Sequence, residues 1–162
     1  MNVTIASRQR TRKINRRFLK QITSALLDDL EIEKAELGIH LVAVPEMTRL
    51  NVKFLGHAGS TDVITFDYQN ESRAGSPSPT DGAHEMTRPA LHGDIFVCVD
   101  EAVWQARKFR TRWQSEVARY VVHGVLHLLG FDDSSAGARR KMKRQENRWL
   151  RELASRFALS KL

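Results

Sequence analysis

Two histidines with three residues between them, His123 and His127, open the stretch of this chain best equipped for chemistry: His-Gly-Val-Leu-His-Leu-Leu-Gly-Phe-Asp-Asp, residues 123–133. On a helix, side chains four apart lie one above the other, with roughly 6 Å between Cβ atoms. That spacing lets two imidazole nitrogens reach one ion at about 2.0–2.1 Å. Gly130 supplies the left-handed residue that ends a helix and turns the chain back. The residue three further on, Asp133, can then swing under the same ion, and a carboxylate is a competent zinc ligand. His123, His127 and Asp133 are therefore the candidate metal ligands, with zinc the expected ion, one per chain, and a fourth position left open. Asp132 is the alternative: it could supply the third ligand or orient it.

A single histidine in a buried helix is usually a hydrogen-bonded core residue, and a pair at i, i+4 also arises by chance. The pair, a helix-ending glycine and carboxylates just beyond it form a more specific pattern, with the spacing by which metzincin peptidases place three zinc ligands. In zincin peptidases a glutamate follows the first histidine and activates water. Here that position is Gly124, which argues against an Asp-ligated zinc peptidase. A bound metal still acidifies its water and polarises a phosphoryl oxygen, so phosphodiester cleavage suits the site better than proteolysis. No side chain stands out as a separate catalytic base.

The segment that must carry the pair is apolar nearly all round, with Val117, Tyr120, Val121, Val122, Val125, Leu126, Leu128 and Leu129, as expected of a buried helix. One polar stripe runs along it: Glu116, Arg119, His123 and His127. Before it, residues 2–6 read as a strand. Ile14, Phe18, Ile22 and Leu26 recur every four residues in a helix expected from Thr11 to about Leu27. Leu37–Val44 reads as a second strand ended by Pro45, completing a β-α-β unit with a parallel pair. A short helix over 46–54 and strands over 61–68 and 95–99 follow, the last apolar on both faces as in the middle of a sheet. Residues 69–92, rich in Ser, Pro and Gly, read as a flexible loop, and Asp94 is as readily a turn residue as a functional one. Helices are expected over 100–110, 112–129 and 135–158. The last is crowded with Arg and Lys around Met142, Trp149, Leu153 and Phe157, with Glu146 the only acid among the basic residues from Arg139 to Arg151.

The chain has 162 residues, enough for one domain with a real core, over 1–162. Its one cysteine, Cys98, excludes an internal disulfide and fits a reducing compartment. No apolar run approaches the ~20 residues needed to span a bilayer. An Arg-rich N-terminus raises a transit peptide, but Val3, Ile5 and the amphipathic stretch behind them read as structure. The formal charge of +7 suits RNA, DNA or a ribosome as partner; in the plainer reading it keeps the protein soluble.

The block His-Gly-Val-Leu-His-Leu-Leu-Gly-Phe-Asp-Asp resembles the signature of the YbeY family, bacterial rRNA maturation factors described as zinc-dependent endoribonucleases. Leu50-Asn51, Thr61-Asp62-Val63-Ile64-Thr65-Phe66 and His92-Gly93-Asp94-Ile95 match in order, so the similarity spans nearly the whole chain. The resemblance implies an α+β fold: a single domain whose small mixed sheet of about four strands packs against helices, with the buried helix carrying the H-x-x-x-H motif. It implies a single-stranded rRNA substrate, processing of the 16S rRNA 3′ end, association with the ribosome or its small subunit, a role in ribosome quality control, and a cytoplasmic setting. Two positions depart from the pattern. The family's third ligand is His where this chain has Asp133, and an Arg thought to meet the RNA phosphate is replaced at Leu55. Lys53, His57, Asp62 and Arg119 are the candidate substrate-binding residues, although Asp62 could equally cap the turn ahead of its strand. A non-catalytic ribosome- or RNA-binding assembly factor with a degenerate metal site is the alternative function.

Overall fold

The computed structural model describes residues 1–69 and 90–162. Strand β1 (Asn2–Ser7) is followed by helix α1 (Arg16–Asp29), strand β2 (Lys34–Val42) and helix α2 (Val44–Leu50). A π-helical turn (Asn51–Leu55), β3 (Val63–Asp67) and β4 (Ala90–Cys98) come next. Helices α3 (Val99–Phe109), α4 (Trp113–Leu128) and α5 (Ala136–Arg156) and a 3-10 turn (Leu159–Lys161) complete the chain. The architecture is a single α+β domain with one four-stranded mixed sheet, in the order β1-β2-β4-β3.

β1 and β2 are parallel, with Val3 opposite Leu37, so the β-α-β unit read from the sequence is present. Its helix starts later than Thr11. Asn15 accepts a hydrogen bond from Phe18 N at 3.1 Å and caps α1. Just before it, the Gln9 side chain holds Arg12 N at 3.0 Å and Thr11 Oγ1 donates to Asp100 at 2.6 Å, fixing a non-helical turn. Pro45 sits in the first turn of α2 rather than ending a strand, a place where its missing N–H is harmless. The expected helix over 46–54 is thus α2 plus the π-helical turn.

β4 lies between parallel β2 and antiparallel β3, with Ile39 opposite Ile95 and Thr65 opposite Ile95. It starts at Ala90, so the last three residues of the expected 69–92 loop, Ala90, Leu91 and His92, belong to the sheet. Residues 70–89 of that expectation lie outside the described residues. Asp94 is not in a turn. It sits mid-strand, accepting from the Tyr68 hydroxyl at 2.9 Å and lying 3.2 Å from His40 Nε2. The early part of β4 looked unlike a strand because one face stays open: His92 is exposed while Leu91 is buried.

The main core joins the sheet to α1, α4 and α5 through residues such as Leu19, Ile22, Leu37, Ile39, Ile95, Val121, Val125 and Leu153. A smaller cluster of Val42, Met47, Ile64 and Cys98 backs β4 from the other side, so its C-terminal half is apolar on both faces as expected. Each such side chain stabilises the fold by about 1.5–3 kcal/mol when fully buried. α4 is the helix clamped at the centre: a Cβ added to Gly124 would lie 2.6 Å from Ile95 Cγ2. Among the described residues, no helix is long and apolar enough to cross a membrane.

Candidate metal centre

α4 presents its apolar residues to the sheet and His123 to a cavity of about 430 Å³, with His127 one turn further along the helix. The position after His123 is Gly124, pressed against Ile95; no glutamate would fit there, and that direction leads into the core rather than to the cavity. The helix ends as the sequence suggests. Gly130 has φ 86°, and the Phe131 and Gly130 amides donate to Leu126 O at 3.0 Å and His127 O at 2.9 Å.

Past this cap, the two aspartates part company. Asp132 Oδ1 accepts from the Asp133 and Ser134 amides at 2.8 and 3.0 Å, and Oδ2 accepts from the Ser134 hydroxyl. The Ser134 bonds hold its carboxyl below the usual carboxylate range. Asp132 thus builds the turn, while Asp133 joins the histidines. Arg139, from α5, donates to the carbonyls of Asp133 and Ser134 at 3.2 and 3.1 Å and pins this loop from outside.

His123 Nε2 and His127 Nε2 are 2.9 Å apart, and Asp133 Oδ2 lies 3.8 and 3.7 Å from them. A triangle with these sides has a centre about 2 Å from every corner, the distance at which zinc takes nitrogen and oxygen ligands. Protonation points the same way. His127 Nδ1 is 3.0 Å from the Phe131 carbonyl, which can only accept, so Nδ1 carries the proton. His123 Nδ1 is 2.7 Å from Glu146 Oε1, a carboxylate, and donates to it likewise. In neutral rings both Nε2 atoms are then bare lone pairs facing each other, an arrangement that a positive charge between them, a shared proton or a metal ion, relieves. His123, His127 and Asp133 form a group that could hold a metal ion, and their donor chemistry fits one.

Glu146 was not singled out for this place by sequence. It is buried on α5, 7% exposed, where burial alone would raise its pKa. The bond and charge of His123, with Lys143 and Arg119, outweigh this and hold it low. For His123, burial works downward, but Glu146, then Asp62 and Asp133, leave its pKa raised. A histidine ligand anchored by a carboxylate is the usual outer support of a metal site. The available signal was position: the one acid between Arg139 and Arg151 sits at helical spacing from Met142 and Trp149, on the face that turns inward.

Of the four substrate-binding candidates, Asp62 and Arg119 line the cavity with His123 and Asp133. Asp62 caps the turn, its Oδ1 accepting from Val63 N at 2.9 Å and Thr61 Oγ1 at 3.1 Å, and also lines the cavity. Arg119 is engaged within the protein, 3.4 Å from Glu146 Oε2, 3.6 Å from Glu116 Oε2, and donating to Asn147 at 2.8 Å. Lys53 and His57 are not among the residues lining the cavity; the Lys53 ammonium lies 5.1 Å over the Phe54 ring. Leu55, half exposed at the end of the π-helical turn, is likewise elsewhere.

Comparison with known proteins places the chain in a family. The family described as Endoribonuclease YbeY matches residues 2–154. A Salinibacter ruber protein named endoribonuclease YbeY is 29% identical over 140 residues, covering 86% of this chain and 84% of its own. Its namesake from Thermobifida fusca is 32% identical, over 82% of this chain and 81% of its own. That from Corynebacterium glutamicum is 37% identical, over 85% and 68%. The solution structure of a Thermotoga maritima protein superposes with a TM-score of 0.60 at 22% identity, covering 94% of this chain and 89% of that one, and so shares the fold. With the family match spanning nearly its whole length, this chain belongs to the YbeY endoribonuclease family.

Proposed function

We propose that this chain is a zinc-dependent endoribonuclease that cuts single-stranded RNA in ribosomal RNA maturation, at the 16S rRNA 3′ end, and in ribosome quality control. It would work in the cytoplasm, in contact with the ribosome or its small subunit. One observation carries the reading: two histidines with both Nδ1 protons committed face each other through Nε2 at 2.9 Å, beside the Asp133 carboxylate. His123, His127 and Asp133 would hold the zinc. When bound, it supplies Lewis acidity toward a phosphoryl oxygen. The chain's own residues do the rest. Glu146 and the Phe131 carbonyl keep both rings turned so that the two Nε2 atoms face each other beside Asp133. Asp132 and Arg139 hold the loop that presents Asp133. Arg139 and Lys143, lining the cavity, offer positive charge to a phosphate backbone.

The second reading, a ribosome-binding assembly factor without catalysis, draws on Leu55, which stands outside the cavity where the family pattern has an Arg. The test is incubation of a single-stranded rRNA fragment with the purified protein. Cleavage is expected, stopped by chelator, restored by zinc, and at least 100-fold slower in Asp133→Ala. An intact fragment with zinc-loaded protein that still sediments with ribosomal subunits would favour the second reading.

A further inference from the structure

Tyr120 stands one turn before His123 on α4 and lines the same cavity. It is 4% exposed, and its hydroxyl is buried without a hydrogen-bond partner among the described residues. A buried hydroxyl left unpaired carries an uncompensated desolvation penalty. Native proteins seldom keep one unless something else completes it. Burial, reinforced by the Asp62 and Glu116 carboxylates, pushes its pKa upward, so it remains a donor at any working pH. Asp62, lining the same cavity, uses Oδ1 for its turn bonds. Oδ2 takes no part in these and is left for a ligand.

A group serving a hydroxyl donor and a carboxylate acceptor together must accept from one and donate to the other. Phosphate oxygens only accept, and deoxyribose offers nothing at the 2′ position. The ribose 2′-hydroxyl does both, and it is the group by which proteins tell RNA from DNA. We propose that Tyr120 and Asp62 together grip the ribose 2′-hydroxyl of the strand in the cavity and set a preference for RNA over DNA. This rests on the RNA reading given above. Tyr120 is then a specificity-determining residue that contacts the sugar.

The test is binding rather than cutting. Fluorescence anisotropy in the cold, with strand integrity checked on a gel, compares zinc-loaded protein on an RNA oligomer and on a DNA oligomer of the same base sequence. Wild type should bind the RNA roughly tenfold more tightly, the scale of one or two net hydrogen bonds. Tyr120→Phe should bring that ratio close to one with little change in DNA affinity. Its stability to urea should be equal or higher, because an orphaned hydroxyl has been removed. Asp62→Asn, which keeps an oxygen for the turn, should also collapse the ratio. Equal affinity of wild type for both strands, or a ratio unchanged in Tyr120→Phe, would overturn the proposal; contacts to base edges alone give the second result. The outcomes are separable from those of the nuclease assay. Lack of cleavage with the sugar preference intact defeats the nuclease reading only, and cleavage with an unmoved ratio defeats only the sugar grip.

Discussion

Glu146 holds His123 Nδ1 at 2.7 Å on one side and meets Arg119 at 3.4 Å on the other. Replacing it by Gln keeps an acceptor for the imidazole but removes the charge that makes the ring a better ligand. We expect Glu146→Gln to retain its fold and to lose about 10–100-fold in zinc affinity, read by competition with a chromophoric chelator. The metal-free protein gives a second readout. His123 has a raised pKa, so its contribution to stability is present below the unfolded value of about 6.5 and is lost as pH rises through the higher folded value. Glu146 has a lowered pKa, so its contribution is present above about 4.3 and is lost as pH falls through the lower folded value. With chelator present, the stability gap between wild type and Glu146→Gln should therefore be widest between these values and shrink on either side. A gap that does not vary with pH would show that the two groups are not coupled.

At the scale of the element, α4 matters because it is pressed against β4 while carrying the ligands on its other side. Gly124→Ala would force a Cβ to within 2.6 Å of Ile95 Cγ2, and overpacking of this kind costs about 1–3 kcal/mol. Urea denaturation should show a loss of that size, with weakened metal binding as the helix is displaced. Much of α4 was legible in the sequence: apolar residues all round, a polar stripe at helical spacing, and Gly130 placed to end the helix and return the chain. The parallel β1–α1–β2 unit was legible for the same reason, since its periodicity reflects burial on one face. What escaped reading depends on partners distant in sequence. Glu146 meets His123 across 23 residues, and its role exists only once α5 packs on α4. The start of β4 was hidden because His92 and Asp94 face the open side of the sheet. The capped start of α1 was missed because the four-residue periodicity already begins at Ile14, one residue ahead of the Asn15 cap. Asp132 and Asp133 could not be told apart until the turn was seen to occupy one of them.

The whole molecule carries a formal charge of +7, and part of it gathers beside the cavity. Arg119, which lines the cavity, also lines a neighbouring groove between α4 and α5 with Arg144 and Arg151. If RNA leaves the cavity along this groove, its affinity should fall as salt rises, and each phosphate contact removed should lower the slope by about 0.7 for a single strand. Arg144→Gln and Arg151→Gln should each weaken binding irrespective of sequence and reduce the slope by about that amount. An unchanged slope in the double variant would place the backbone elsewhere.

The metal is what would join these residues into a working site. Elemental analysis of protein purified without chelator or metal-affinity resin, alongside Asp133→Ala, tests it most directly. About one zinc per wild-type chain is expected, with metal lost or sharply reduced in the variant. Wild-type protein that stays metal-free after zinc is added, or an Asp133→Ala variant that holds zinc as firmly as wild type, would contradict it.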